Sequence, residues 1–286
     1  MNGDLLNKIE EGIPHFSKGQ HRIARYIIDH YEQAAYMTAA RIGAEVGVSE
    51  STVVRFAGEL GFDGYPELQR ALQDLIRNRL TSFQRMEVAN RMIGEDDVLD
   101  KVLLGDADKI KHTLESADRA AFAGAVDKLL RAKHIYIMGV RSSATLAGFL
   151  NHSFQIAFDN VKLVQTTSGS EIFEQLLYLE QGDVFFAISF PRYSKRTINA
   201  VAFAKEKGAD VIALTDSPVS PIADYADHLL LAQSDMASFV DSLVAPLSII
   251  NALIVALSLK KQHELAERLS RLEQIWEEYE EYDKSK

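Results

Sequence analysis

The sequence predicts two domains of different class: an all-α domain at the amino end, then an α/β domain built on a doubly wound, five-stranded parallel sheet. Up to about residue 80 every periodic stretch has helical spacing. After Lys133 short β-rich runs alternate with amphipathic helices. Size agrees, since 286 residues with 47% hydrophobic content are long for one core and enough for two. The expected boundaries are a helical domain at 1–80, a polar connector at 81–105 carrying Gly94-Glu95-Asp96-Asp97, much of it able to be helical itself, and the α/β domain at 106–286.

Helical periodicity covers Leu5 to Ile13, Lys18 to Asp29 and Glu32 to Tyr36. The stretch from Thr38 to Leu60 is the most informative. Thr38 suits a helix cap, Ala39, Ile42, Ala44 and Val46 follow on or near one apolar stripe, and Gly47 supplies a permissive turn. A second helix starts at Ser49. Its Val53, Phe56, Ala57 and Leu60 recur at the spacing of a buried face and leave Ser49, Glu50, Ser51, Thr52, Arg55 and Glu59 outward. This is the outline of a helix-turn-helix. A recognition helix enters the major groove by its N-terminal end, which makes Ser49, Ser51, Thr52 and Arg55, with Arg41 on the preceding helix, the expected DNA contacts. The competing reading is an ordinary helical hairpin in a core. Gly61 to Pro66 then breaks the pattern, and Pro66 opens a helix running to Asn78.

Charge argues against a strongly basic nucleic-acid binder. The chain carries −10, and its first 80 residues hold nine Lys/Arg against eleven Asp/Glu. DNA contact then depends on which face carries Lys18, Arg22, Arg25, Arg41 and Arg55, and a homodimer or homotetramer is expected to supply avidity. With no cysteine there are no disulfides. Neither a signal peptide nor a transmembrane span is expected, so a cytoplasmic protein without membrane contact is the expectation.

One or two helices are expected over Lys109 to Arg131. In the α/β half the expected strands are His134 to Met138, Val161 to Gln165, Asp183 to Ser189, Asp210 to Thr215 and Leu229 to Ala232. Helices are expected at Ser142 to Phe158, Ser170 to Leu179 and Ser194 to Lys207, with two more at Ala237 to Leu259 and His263 to Tyr282. Trp276, with Leu272 and Tyr279, is expected to pack the last of these. Ligands on such sheets bind beyond the carboxyl ends of the strands. Three loops stand there. Gly139-Val140-Arg141-Ser142-Ser143 joins a guanidinium and hydroxyls to a helix N-terminus; Thr166 to Ser170 is hydroxyl-rich; Ser189 to Thr197 brings three cations. Arg141, Ser142, Ser143, Ser168, Ser170, Ser189, Arg192, Ser194, Lys195 and Thr197 are therefore the expected ligands of a small phosphorylated or carboxylated molecule, although serine and threonine are also simply good helix caps. His152, Glu171 and Glu174 are weaker candidates, expected to be structural or solvent-facing. No HExxH motif, nucleophile elbow or Walker loop occurs, so no catalytic residue, metal or cofactor is expected.

The two halves together resemble the RpiR family of bacterial transcriptional regulators, which join a helix-turn-helix domain to a sugar isomerase (SIS) domain. The resemblance covers almost the whole chain. It rests on Gly47-Val48-Ser49-x-Ser51-Thr52-Val53-Val54-Arg55-Phe56 and Leu60-Gly61-Phe62-x-Gly64-Tyr65-Pro66-Glu67-Leu68. In the second half it rests on Gly139-x-x-x-Ser143, Gly182-Asp183-Val184 leading to Ser189, Ala204-Lys205-x-x-Gly208-Ala209, Thr215-Asp216, and Ser220-Pro221-Ile222-Ala223-x-x-Ala226-Asp227. It implies a regulator of operator DNA whose SIS domain binds a sugar phosphate or sugar acid. The chain departs from the family pattern at Arg141, where a second glycine is common, and at Pro191-Arg192, where serine and glycine are common. There an arginine fork reaches an anion that backbone would otherwise approach. Alternatives are a phosphosugar isomerase, whose acid and base would come from Glu171, Glu174, His152 or His228, and a DNA-bound protein whose SIS domain only dimerises. The apolar helix from Val240 to Leu257 and the helical segment before the sheet are the expected dimer surfaces.

Overall fold

A computed structural model describes residues 4–77, 81–94, 96–165, 168, 170–236 and 238–282. The chain divides into two compact units, residues 1–81 and 82–286.

The first unit is helical: α1 (Asp4–Gly12), α2 (Lys18–Asp29), α3 (Tyr31–Ala34), α4 (Ala39–Val46), α5 (Glu50–Glu59) and α6 (Tyr65–Arg77). Local chemistry sets the starts. Ser17 and Gln20 form a reciprocal capping box on α2, and Thr38 Oγ1 accepts the Arg41 N–H at the head of α4. Ile23, Ile27, Ile42, Val53, Phe56, Leu68 and Leu72 are fully buried together. Polar pins lock α6 to the end of α3: Gln69 Nε2 donates to Met37 O at 2.9 Å, Gln73 Nε2 to Ala35 O at 2.9 Å, and the Tyr65 hydroxyl also donates to Met37 O. Burial pushes the Tyr65 phenol well above its usual pKa, so it acts as a permanent donor.

The second unit begins with helices. Residues 82–105 form α7 (Ser82–Ile93) and the first part of α8 (Val98–Ser116), and group with the α/β unit. After α9 (Arg119–Arg131) come β1 (Ile135–Gly139), α10 (Ser142–Ala157), β2 (Val161–Val164), α11 (Ser170–Gln175), β3 (Val184–Ile188), α12 (Lys195–Glu206), β4 (Asp210–Thr215), β5 (His228–Leu231), α13 (Val244–Lys260) and α14 (Gln262–Glu278). The strands are all parallel, in the order β2-β1-β3-β4-β5. Every residue of β1 and β3 is buried, as expected of central strands covered on both faces. One face packs Ile137, Phe186 and Ile212 against α9, α10 and α13, and the other packs Met138, Phe185 and Val211 against α11 and α12.

Three expectations fail. The helix expected from Ala237 starts at Val244, because Pro246 lacks an N–H and its ring would collide with the Ser242 carbonyl of an earlier helical turn. Residues 238–243 instead form an irregular strap, with a bridge from Met236 to Asp241. Tyr279 is exposed rather than packed, since α14 buries no residue fully. Ala44 is exposed, and Gly43 takes its place on the inner face of α4. Among the described residues no single helix is long and apolar enough to cross a membrane.

Candidate functional site

In the first unit α4 and α5 form the helix-turn-helix. Gly47 ends α4 in the left-handed conformation at φ 67°. Gly43 is needed for a different reason, since a Cβ there would lie 2.7 Å from the Val48 carbonyl oxygen. The turn folds back so tightly that no side chain fits.

Val53, Phe56 and Ala57 of α5 are buried, so the helix presents its opposite face outward. Ser49 caps α5 by backbone conformation, and its Oγ lies 2.9 Å from Ser51 Oγ and 2.8 Å from Thr52 Oγ1. Arg55 is exposed, its Nε donating to the Ser51 carbonyl at 3.3 Å. Thr52, Arg55 and Glu59 share a shallow groove with Ser17 and Gln20 from the start of α2. Arg41 is exposed on α4. Ser17, the cap of α2, and Gln20 in its first turn were not anticipated from sequence as part of this face.

In the second unit a cavity of about 260 Å³ opens at the carboxyl ends of β1 and β3. The strand order reverses direction between these two strands, the switch point where such sheets hold ligands. Arg141, Ser142 and Ser143 line it from the loop after β1 and the start of α10, while Ser189, Arg192 and Ser194 line it from the loop after β3. Ser194 caps α12, its Oγ accepting the Arg196 N–H at 3.3 Å. Both arginines have positive φ, 59° for Arg141 and 60° for Arg192.

Ser168, Ser170, Lys195 and Thr197 do not line this cavity, contrary to expectation. Ser168 and Ser170 follow β2, one strand beyond the switch point, where their hydroxyls lie 2.9 Å apart; Thr166, Thr167 and Gly169 of that loop lie outside the described residues. Lys195 and Thr197 follow the cap of α12 by one and three residues. The helical turn carries Lys195 into solvent and buries Thr197 completely. His152, Glu171 and Glu174 are exposed on their helices and do not line the cavity.

Sequence reasoning missed the remaining wall. Ser82 and Arg85 come from α7, and Phe239, Val240 and Asp241 from the strap before α13. Arg85 forms a buried ion pair with Asp241, the two side chains being only 3% and 7% exposed. Arg192 Nη1 donates to Ser82 Oγ at 2.9 Å and so bridges the two walls. A lone arginine in an apparent connector carries no signal of this kind. The cavity's three arginines outnumber its single aspartate and give it positive character.

Comparison with known proteins matches the same division. Residues 3–79 fit the rpiR-family helix-turn-helix domain and residues 128–256 the SIS domain. The HTH-type transcriptional regulator HexR of Escherichia coli (strain K12) is 27% identical over 284 residues, covering 96% of this chain and 95% of that protein. The sugar isomerase domain of an RpiR transcription factor from Sphaerobacter thermophilus is 29% identical, with TM-score 0.58, over 61% of this chain and 97% of that one. The Vibrio vulnificus NanR protein, solved with ManNAc-6P, shares the fold at 21% identity and TM-score 0.59, covering 95% and 97%.

Proposed function

We propose, from the fact that this chain belongs to the RpiR family of transcriptional regulators, that it is a metabolite-controlled DNA-binding protein and not an enzyme. The first unit reads operator DNA with Ser49, Ser51, Thr52 and Arg55 of α5, helped by Arg41. The second binds a small anion, a sugar phosphate or sugar acid, in the cavity between the loops after β1 and β3. The observation that carries this reading is the pair Arg141 and Arg192 at the mouths of two loops, with the hydroxyls of Ser142, Ser143, Ser189 and Ser194 around them. Guanidinium forks match carboxylate and phosphate oxygens, and hydroxyls complete the shell.

An isomerase needs a base beside the substrate carbon and an acid at the ring oxygen. Among the described residues the cavity's one carboxylate is Asp241, which is engaged by Arg85, and it has no histidine. NanR, solved with a phosphorylated amino sugar, shares the fold and is consistent with the ligand class. Paired operator half-sites call for a homodimer or homotetramer. The exposed Leu99, Leu103, Leu104 and Leu114 of α8 and Val255 and Leu259 of α13 supply apolar surface for its contacts.

The test is fluorescence anisotropy at fixed salt with DNA from around the protein's own gene, with and without a panel of sugar phosphates and sugar acids. Sequence-specific binding shifted by one compound is the expected result. Binding to no sequence under any condition would overturn the reading.

A further inference from the structure

Helix α7 is the first element after the DNA-binding unit; only residues 78–81 separate it from α6. It is also a wall of the anion cavity. Among the polar contacts that hold that wall are Arg192 to Ser82 and Arg85 to Asp241. Besides these, Ala89 is buried and Val88 and Ile93 are half-buried, while Phe83 at 63% and Met86 at 36% remain exposed, so among the described side chains of α7 Ala89 is the one apolar group fully buried. The ion pair is itself imperfect. Arg85 Nε is buried with no hydrogen-bond partner, which leaves this arrangement of α7 with an uncompensated desolvation cost.

We propose that α7 is a ligand-shifted latch: an anion in the cavity exchanges both contacts, and the displaced helix changes the placement of the DNA-binding unit that precedes it. This rests on the cavity being the effector site. A phosphate or carboxylate oxygen accepts from a guanidinium more strongly than a serine hydroxyl does, so a bound anion takes Arg192 from Ser82. The same anion competes with Asp241 for Arg85 and repels it as a like charge in a site of low dielectric. The unpartnered Nε gains an acceptor when the guanidinium turns toward the anion. The anion therefore breaks the tie of Ser82 to the loop after β3 and moves the tie of Arg85 from the strap to itself, so α7 leaves its present position. Coupling between sites of this kind typically changes affinity 5- to 150-fold, and by linkage DNA and anion alter each other's binding by the same factor.

Hydrogen exchange of the full chain tests this, with inorganic phosphate as the probe and chloride at equal ionic strength as the reference. The expected result is slower exchange in the loops at 139–143 and 189–194 together with roughly tenfold faster exchange of the α7 amides from Met86 to Asn90. Slower loops with unchanged or slowed α7 amides would overturn the latch and leave the anion site standing. No change in either region, even with phosphate raised to saturation of any weak site, would overturn both. Ser82→Ala supplies a second test. Alanine is the better helix former, so propensity alone predicts slower exchange of α7, whereas loss of the latch contact predicts faster exchange without phosphate and a smaller response to it. Slower exchange in that variant would overturn the proposal. Asp241→Asn, which keeps the shape and removes the charge, should likewise speed α7 exchange; an unaltered rate would contradict the role given to the ion pair.

Discussion

Arg141 and Arg192 stand in matching positive-φ backbone, at 59° and 60°, on loops that follow the adjacent strands β1 and β3. At Arg141 the accompanying ψ of −127° belongs to a region that only glycine occupies comfortably. A non-glycine residue in such a state costs about 1–3 kcal/mol, and strain of this kind clusters at ligand clamps. The expense falls where it places two guanidinium groups at the mouth of one cavity.

Arg141→Gly should therefore separate stability from binding. Relief of strain should stabilise the second unit by about 1 kcal/mol, read from the urea midpoint. Loss of a charge-assisted donor should weaken phosphate binding about tenfold or more. A variant that is less stable, or that binds phosphate as tightly, would contradict the clamp.

Arg55→Ala should leave the first unit folded, because the side chain is exposed and its Nε donates to a carbonyl of its own helix. Affinity for operator DNA should fall by about 1–3 kcal/mol if Arg55 reads a base. A phosphate contact would instead lower affinity uniformly across sequences and reduce the salt slope by about 1. Competition between operator and scrambled DNA at several salt concentrations distinguishes the two, and normal affinity would remove α5 as the reading helix.

Gly43→Ala should damage the helix-turn-helix although alanine favours helices. Its Cβ would meet the Val48 carbonyl oxygen at 2.7 Å, and that atom is backbone, so the turn itself must shift. Overpacking of this kind costs about 1–3 kcal/mol. Trp276, the chain's single tryptophan, lies in the second unit, so its fluorescence should be unchanged while far-UV circular dichroism records the loss of helix at lower denaturant. A stabilised variant would show that the turn is looser than its geometry implies.

Periodic burial made much of this architecture legible. The spacing of Val53, Phe56, Ala57 and Leu60 is the buried face of α5, and the β-rich runs after Lys133 are the five strands. The loops after β1 and β3 were also readable, because strand-then-helix patterns place them at one sheet edge. Other features left no local mark. Arg85 and Asp241 are 156 residues apart in sequence, and only the fold brings them together. The inward turn of Thr197 depends on helix phase after Ser194, which composition does not encode. Pro246 did carry a signal against a helix starting at Ala237, and the apolar run around it concealed that signal.

Asp227, within the Ala226-Asp227 motif, gives a prediction in which pH sets the sign. Its N–H donates to the Val211 carbonyl at 2.9 Å and its Oδ2 accepts the Val211 N–H at 2.9 Å, which fastens the start of β5 to β4. Burial pushes the carboxyl up, but the Lys205 ammonium bond, the Val211 N–H and the nearby positive charge outweigh it and hold the carboxyl below its usual range. A group whose folded pKa is depressed contributes stability that is present above its unfolded value, about 3.9 for aspartate, and is lost as pH falls through the folded value. Asp227→Asn keeps the shape and removes the charge. The native chain should be the more stable of the two at pH 6, by less than about 1 kcal/mol because the ion pair is partly exposed, and that advantage should shrink as pH drops below about 4. Paired urea titrations from pH 6 to pH 3 measure it; a difference that stays constant over that range would show that Asp227 acts through its shape and not through its charge.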